Sequence, residues 1–392
     1  MRESLHELFE EAWEFELAED PLFATMVGDH RFNDRLPSVS SEDYQRREAA
    51  CKGFLSRLHA IEKEKLSEED RIDYEIFERR LTDELQEYAF RSFYLSVTNR
   101  SGFHVFFPEI VERTPFRSVE DYENYLARLQ AFPRYVAQQI ALLREGIQEG
   151  FQQPRVVLDG FEAAVEAHIV EEPEKSRFFK PFLEFPERIS AQEQARLREA
   201  GRRAIATAIV PAYREFFDFM ANEYVPSGRT GISITEVPDG HAFYAFLVRH
   251  YTTLEVTPER VHEIGLQEVA RIRREMVAII ESVGFEGTFH DFVTFLRTDP
   301  RFYVDTPEQL LKEVSYVLKR MDGELPRLFG KLPRMPYGIK PVPEYTAPQA
   351  TTAYYMAPAG DGSYAGYYYV NTYDLPSRPL YEIEALSLHE AV

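Results

Sequence analysis

Apolar residues recur along most of this chain at intervals of three and four, the spacing that gathers them on one face of a helix. They do so at Val119, Tyr122, Leu126 and Leu129, and again at Val136, Ile140, Leu143 and Ile147 up to Gly150. Ser118-Val119-Glu120-Asp121 opens the first run with a capping-box pattern, in which a hydroxyl takes one orphan amide of the first turn and an acid takes another. Pro133 separates the two runs and predicts a break or kink, because proline lacks the amide that the helix needs. Thr257-Pro258-Glu259 and Thr306-Pro307-Glu308 are two further helix starts. Each offers a cap hydroxyl, a proline at the first helical position and an acid in the positive first turn. The first of them leads through Val261, Ile264, Glu268, Ile272, Met276, Ile279 and Val283 to a stop at Gly284. Only Glu268 interrupts that face, so the expectation is a buried stripe with Glu268 held in an ion pair. Ser67-Glu68-Glu69-Asp70 opens another helix, through Phe77 and Leu81 towards Leu85.

Two stretches break the helical rhythm. Val225 to Asp239 carries Pro226, Gly228, Gly231 and Pro238 around Ile232 and Ile234, and predicts a loop with a short extended piece. Residues 332–379 are rich in Pro, Gly and Tyr, and nine tyrosines fall between Tyr345 and Tyr381. Such a stretch is either a draped surface loop or the wall of a cleft. Within it, Gly366 to Thr372 has the β-branched and aromatic content of a strand. A last helix is predicted from Leu380 to Val392. No repeat of 20–50 residues is visible.

Composition narrows the function classes. The chain has 392 residues, of which 44% are hydrophobic and 28% charged, enough for a sizeable core. Lys and Arg total 45 against 66 Asp and Glu, a formal charge of −21. That surface repels phosphate backbones and anionic lipid, so neither a nucleic acid nor a membrane is expected as a partner. Cys51 is the single cysteine, which rules out an intrachain disulfide and fits a reducing compartment. No apolar stretch approaches the roughly 18–20 residues of a membrane span. The N-terminus, Met1 to Glu7, lacks the apolar segment of a signal peptide. A cytoplasmic location is the expectation.

The candidate chemistry lies in the final helix, at His389-Glu390-Ala391-Val392. A metal-hydrolase helix carries a histidine ligand, an adjacent glutamate that takes a proton from metal-bound water, and a second histidine one or two turns on. In the His-Glu-x-x-His spacing that second histidine would be residue 393. A His-Glu dipeptide has little specificity alone, but its surroundings add to it. Tyr369-Val370-Asn371-Thr372, Arg378-Pro379 and Ala385 to Val392 resemble the signature of bacterial domain-of-unknown-function family number 885. The resemblance extends back through Asp20 to Thr25, Gly28-Asp29-His30, Asp121-Tyr122-Glu123, Arg144 to Ile147, Pro238 to Tyr244, His250 to Thr253, Thr257-Pro258-Glu259 with His262 and Gly265, and Asp361-Gly362-Ser363. Members of that family look like zinc metallopeptidases of the gluzincin type, with a motif that continues Pro-Gly-His-His-Leu-Gln.

The resemblance implies His389 as a metal ligand, Glu390 as general base, and zinc as the metal. It also implies a peptide substrate, bound near Tyr369, Asn371 and Arg378. The strand Tyr367–Asn371 would be an edge strand offering its backbone to an extended peptide, and Tyr369 or a neighbouring tyrosine would donate to the oxyanion. With one histidine in hand, this chain is expected not to retain zinc, and to be inactive by itself. The competing reading is a non-catalytic helical scaffold that binds peptides in the same cleft. Other residues have plainer readings: His250 and His262 as structural, His241 as a turn residue that could also line the cleft, Glu382 as exposed or ion-paired with a supporting role two turns from His389 as the alternative, Arg378 as a structural ion pair as readily as an anchor for a substrate carboxylate, and Cys51 as inert. The expected fold is mainly α. It is a large multi-helix gluzincin-like scaffold with a small β-element from residues around 230–236 and 365–372. It is expected as one domain over residues 1–392, the N-terminal part of a longer one, which self-associates through apolar faces left open.

Overall fold

The structure is a computed structural model that describes residues 2–344, 347, 348, 350–360, 362 and 364–391. The chain is mainly helical, as its periodicity predicts, with one small sheet. Contacts divide the chain into two compact units, Met1–Pro258 and Glu259–Val392.

The first unit is all helix and turn. Its N-terminal part contains α1 (Arg2–Glu19), α2 (Pro21–Met26), α3 (Ser41–His59) and α4 (Glu68–Ala89). Leu5 and Leu8 pack with Cys51, Leu58, Phe77 and Leu81 between these helices. Ser40 and Ser67 cap α3 and α4, each accepting from the amide three residues on. The long α5 (Val119–Gln148) runs unbroken through Pro133, where the sequence reading expects a break or kink. The lost amide bond is outweighed by burial on both sides of it, since Leu129, Phe132 and Val136 are wholly inside.

Around α5 lie α6 (Ala191–Ala204) and α7 (Val210–Phe219), joined without a break by the wide turn Ile205–Ile209. Phe107 stacks on Phe132 at 4.2 Å and Tyr213 lies 5.1 Å from Phe132. Among the described residues three basic side chains lie in the core. Arg128 of α5 is fully buried, and no carboxylate of the described residues pairs with its guanidinium. It donates instead to the carbonyls of Pro21 (2.7 Å), Phe32 (3.2 Å) and Arg35 (2.9 Å) and to the Thr25 hydroxyl (2.7 Å), and burial lowers its pKa to about 10. His104 and His168 are buried among Phe178, Tyr213 and Phe216, and burial pulls both imidazoles down to about 4.

Residues 230–236 contribute no strand, which corrects the expected β-element there. Ser233 turns its hydroxyl onto the Thr235 amide, and Ile234–Glu236 closes a 3₁₀ turn. Arg229 ties the loop down through the carbonyls of Gly231 and Ser233. The turn packs so tightly on the start of α8 (Gly240–Thr252) that a Cβ at Gly240 would meet the Ile234 carbonyl at 2.5 Å.

The second unit contains α9 (Pro258–Ser282), α10 (Phe289–Thr298), α11 (Pro307–Asp322) and α12 (Leu380–Ala391). Its sheet is formed by β1 (Tyr337–Pro341), β2 (Ala353–Met356) and β3 (Gly366–Val370) in the order β1-β3-β2. The Tyr-rich stretch thus supplies three strands, two more than predicted. β1 runs parallel and β2 antiparallel to β3. Leu310, Val314 and Leu318 of α11 and Ile383 of α12 pack on Ala353, Tyr368 and Val370, the inner face of the sheet. The apolar stripe of α9 meets no such cover: Val261, Ile264, Ile272, Met276, Ile279 and Val283 remain 37–61% exposed. Glu268 is ion-paired as expected, to Arg271 at 2.7 Å, but on the surface rather than in a core.

Candidate functional site

Strand alternation decides where each tyrosine of β3 points. Gly366, Tyr368 and Val370 are buried beneath α11 and α12, while Tyr367 and Tyr369 are half-buried on the opposite face. There Tyr369 stacks flat on Tyr354 of β2 at 4.8 Å, and the Lys340 ammonium sits 3.6 Å from the Tyr367 ring. The sheet therefore stands between Tyr369 and α12, and it is Tyr368 that shares a side with the His-Glu pair. β3 is also the central strand, with both edges paired, which corrects its expected role as an edge open to a peptide. The outer strands are β1 and β2, and among the described residues no further strand pairs with either.

Asn371, at the end of β3, is wholly buried. Its side-chain amide donates to the carbonyls of Ala347 (2.8 Å), Thr351 (3.1 Å) and Ala350 (3.4 Å), and its Oδ1 accepts from the Tyr373 amide at 3.0 Å. Its own amide donates to the Thr352 carbonyl, and its carbonyl accepts from Arg378 Nε at 3.1 Å. Asn371 is therefore an internal clasp. Arg378 is partly committed to that clasp and to the Ser377 hydroxyl at 2.8 Å, with no carboxylate paired to it among the described residues. Asn371 and Arg378 together support the loop between β3 and α12.

On α12 the inward stripe is Ile383, Ser387 and Glu390, at helical spacings of four and three. The Tyr368 hydroxyl lies beside the Ser387 hydroxyl and near the Glu390 carboxylate, and burial together with that charge raises the phenol pKa. Both hydroxyls are buried, and their contact falls outside hydrogen-bond geometry. His389, two positions from Ser387, faces almost the opposite way and is exposed, as is Glu382 two turns before it. Val392 lies outside the described residues, as do Asp361 and Ser363 of the sequence motifs. The Tyr368–Ser387–Glu390 group was missed in the sequence, although the alternation of Gly366, Tyr368 and Val370 could have placed Tyr368 inward. Among the described residues no three His, Cys, Asp or Glu side chains converge to hold a metal, and no helix is long and apolar enough to cross a membrane.

Two solved structures resemble this one. A protein from Colwellia psychrerythraea superposes with a TM-score of 0.91 at 20% identity, over 100% of this chain and 70% of that one. A protein of unknown function from Shewanella oneidensis superposes with a TM-score of 0.60 at 15% identity, over 99% of this chain and 69% of that one. Both are described as a "putative lipoprotein", and at these identities the likeness is one of fold. No curated protein matches the sequence. The family model for bacterial proteins of unknown function, DUF885, matches residues 21–392, and the chain belongs to that family.

Proposed function

We propose that this chain contributes the cleft of a zinc-dependent peptidase, with His389 as a metal ligand and Glu390 as the general base. What supports the reading is the His-Glu pair on a helix seated on a small sheet, together with the resemblance of residues 369–391 to a metallopeptidase signature. The residues present do not complete the donor set. His389 is one imidazole, no second or third ligand stands near it among the described residues, and a lone imidazole holds zinc weakly. No step through a metal is therefore derived for this chain.

Its own residues fix the helix. Ile383 and Ser387 seat α12 on the sheet, Tyr368 lies against Glu390, and the Asn371–Arg378 clasp sets the approach of the chain to the helix. β2, the antiparallel outer strand, with no further strand beside it among the described residues, replaces β3 as the strand on which an extended peptide would add. The same outer position favours the second reading, a peptide-binding scaffold without catalysis. A cytoplasmic location remains part of the proposal, against the lipoprotein description of the similar structures, and cell fractionation decides it.

Metal analysis of the purified chain is expected to find well under one zinc per molecule, and the same after His389→Ala. Reading the gene past codon 392 tests the rest. Two histidines and a later acid are expected, and the product of that frame should hydrolyse peptides and lose about 100-fold or more in rate on Glu390→Gln. A stop codon there, with peptide binding but no hydrolysis, would overturn the enzyme in favour of the scaffold.

A further inference from the structure

The first unit holds a half-open cavity of about 450 Å³ between α1, α3, α4 and the middle of α5, within the size range of small-molecule sites. We infer that this cavity binds a small organic cation of the amine or amidine class with an aromatic or alkyl body. This does not depend on the peptidase reading, since the two sites share no residue.

The walls are aromatic. Phe15 and Phe54 meet edge to face at 5.8 Å, and Phe77 and Tyr88 continue the surface. Such rings accept a flat or alkyl body and present negative faces to a cation. Tyr44 also lines the space, but one ring face is taken by Phe93 at 4.2 Å and it carries the Arg47 guanidinium at 5.3 Å.

The charge of the lining is negative: Glu16, Glu19, Asp20 and Glu84 against Arg47 and Arg80. Both arginines are already committed, Arg47 to Glu19 at 2.9 Å and Arg80 to Glu16. Asp20 is occupied as the cap of α2, accepting from the amides of Leu22 and Phe23. Glu84 is the exception. It is half-buried, accepts only from the Tyr88 hydroxyl at 3.0 Å, and no cation pairs with it among the described residues. A half-buried carboxylate facing an aromatic cavity is stabilised by whatever cation enters.

A second feature points the same way. Tyr135 and Gln139 of α5 are 7% and 6% exposed and line the cavity opposite α4. Their polar ends interact with each other, and among the described residues neither side chain makes another hydrogen bond. A primary amide has two donors and two acceptor positions, so most of the Gln139 capacity is unspent on the wall of a space large enough to hold a partner. A planar amidine would use Glu84 through its charge and the Gln139 carbonyl through a second N–H.

Benzamidine, benzamide and benzoate test this, because they share one shape and differ in charge. Titration calorimetry on the whole chain at low ionic strength is expected to give one benzamidine per molecule, bound at least tenfold tighter than benzamide, with benzoate unbound. Glu84→Gln should bring benzamidine down to the benzamide level. Tyr88→Phe removes only the internal donor to Glu84, and should keep the charge preference even where Glu84→Gln lowers the thermal midpoint. Equal binding of benzamidine and benzamide, no benzamidine binding up to millimolar concentration, or tenfold preference surviving in a folded Glu84→Gln would each overturn the assignment.

Discussion

α5 and α9 are the two longest helices described, 30 and 25 residues, and both set apolar side chains at intervals of three and four. In α5 that stripe is buried over its middle turns, with Tyr125, Leu129, Phe132, Val136 and Leu143 fully enclosed in the core and only the end residues Val119 and Ile147 partly open. In α9 only Ile280 is buried. Periodicity thus specifies that a helix has an apolar face, and says nothing of what covers it. The partners of α5 come from distant segments on either side of it in the chain, such as Phe107 and Tyr213, whereas among the described residues α9 has no counterpart of this kind in its own unit.

The largest effect that separates the two units is expected from acid. His104 and His168 have folded pKa values of about 4 against an ordinary value of 6.5, so both are neutral in the folded first unit. The sign follows: their contribution is whole above pH 6.5 and is lost as pH falls towards 4, where the unfolded chain binds protons that the folded one refuses. The loss is on the order of 3 kcal/mol per histidine over that window. His262, His290 and His389 of the second unit are exposed. Denaturant melts followed by hydrogen exchange from pH 7 to 4 should see the first unit weaken steeply, and His168→Phe should flatten the slope. An acid profile unchanged by that substitution would show that the imidazoles are not its source.

Leu129→Ala and Ile272→Ala test the helices directly. The first should cost about 2–5 kcal/mol, because a wholly enclosed side chain leaves a cavity. The second should cost less than about 0.5 kcal/mol, as for an ordinary surface change. Matching losses in urea titrations would mean that α9 is covered in solution. Asn371→Ala comes next, at about 1–3 kcal/mol for buried carbonyls left without a donor, with the loss confined to amides of the second unit in hydrogen exchange. The smallest energetic effect carries its own readout. Ile272→Glu with Ile279→Glu should leave the melt almost unchanged, yet abolish concentration-dependent self-association in sedimentation velocity. A wild-type chain that stays monomeric at high concentration would remove that role from the stripe.

Much of the fold was legible. The caps at Ser67, Ser118 and Thr306 open helices where predicted, because a hydroxyl three residues ahead of a free amide is a local event. The failures are non-local. Pro133 lies inside a helix because burial on either side outweighs one lost bond. Ile232 and Ile234 have strand propensity, yet Arg229 pins their loop into a turn. At the candidate site, the strand and helix were found, but their arrangement was not. A run of three tyrosines does not say which one faces the helix, nor that β1 and β2 would flank β3 on both sides. The cavity lined by Glu84 and Gln139 had no sequence signal, since its walls come from four helices spread between Ala12 and Gln139.

The Asn371 clasp has a consequence for how the protein ages. Asparagine deamidates when the amide nitrogen of the next residue reaches its side-chain carbon, and here that side chain is held by three carbonyls and the Tyr373 amide. The reaction needs the clasp to open. Once it has happened, a carboxylate would face three carbonyl oxygens and the clasp could not close again. The mass of the peptide containing Asn371 is therefore a running record of the time the clasp has spent open.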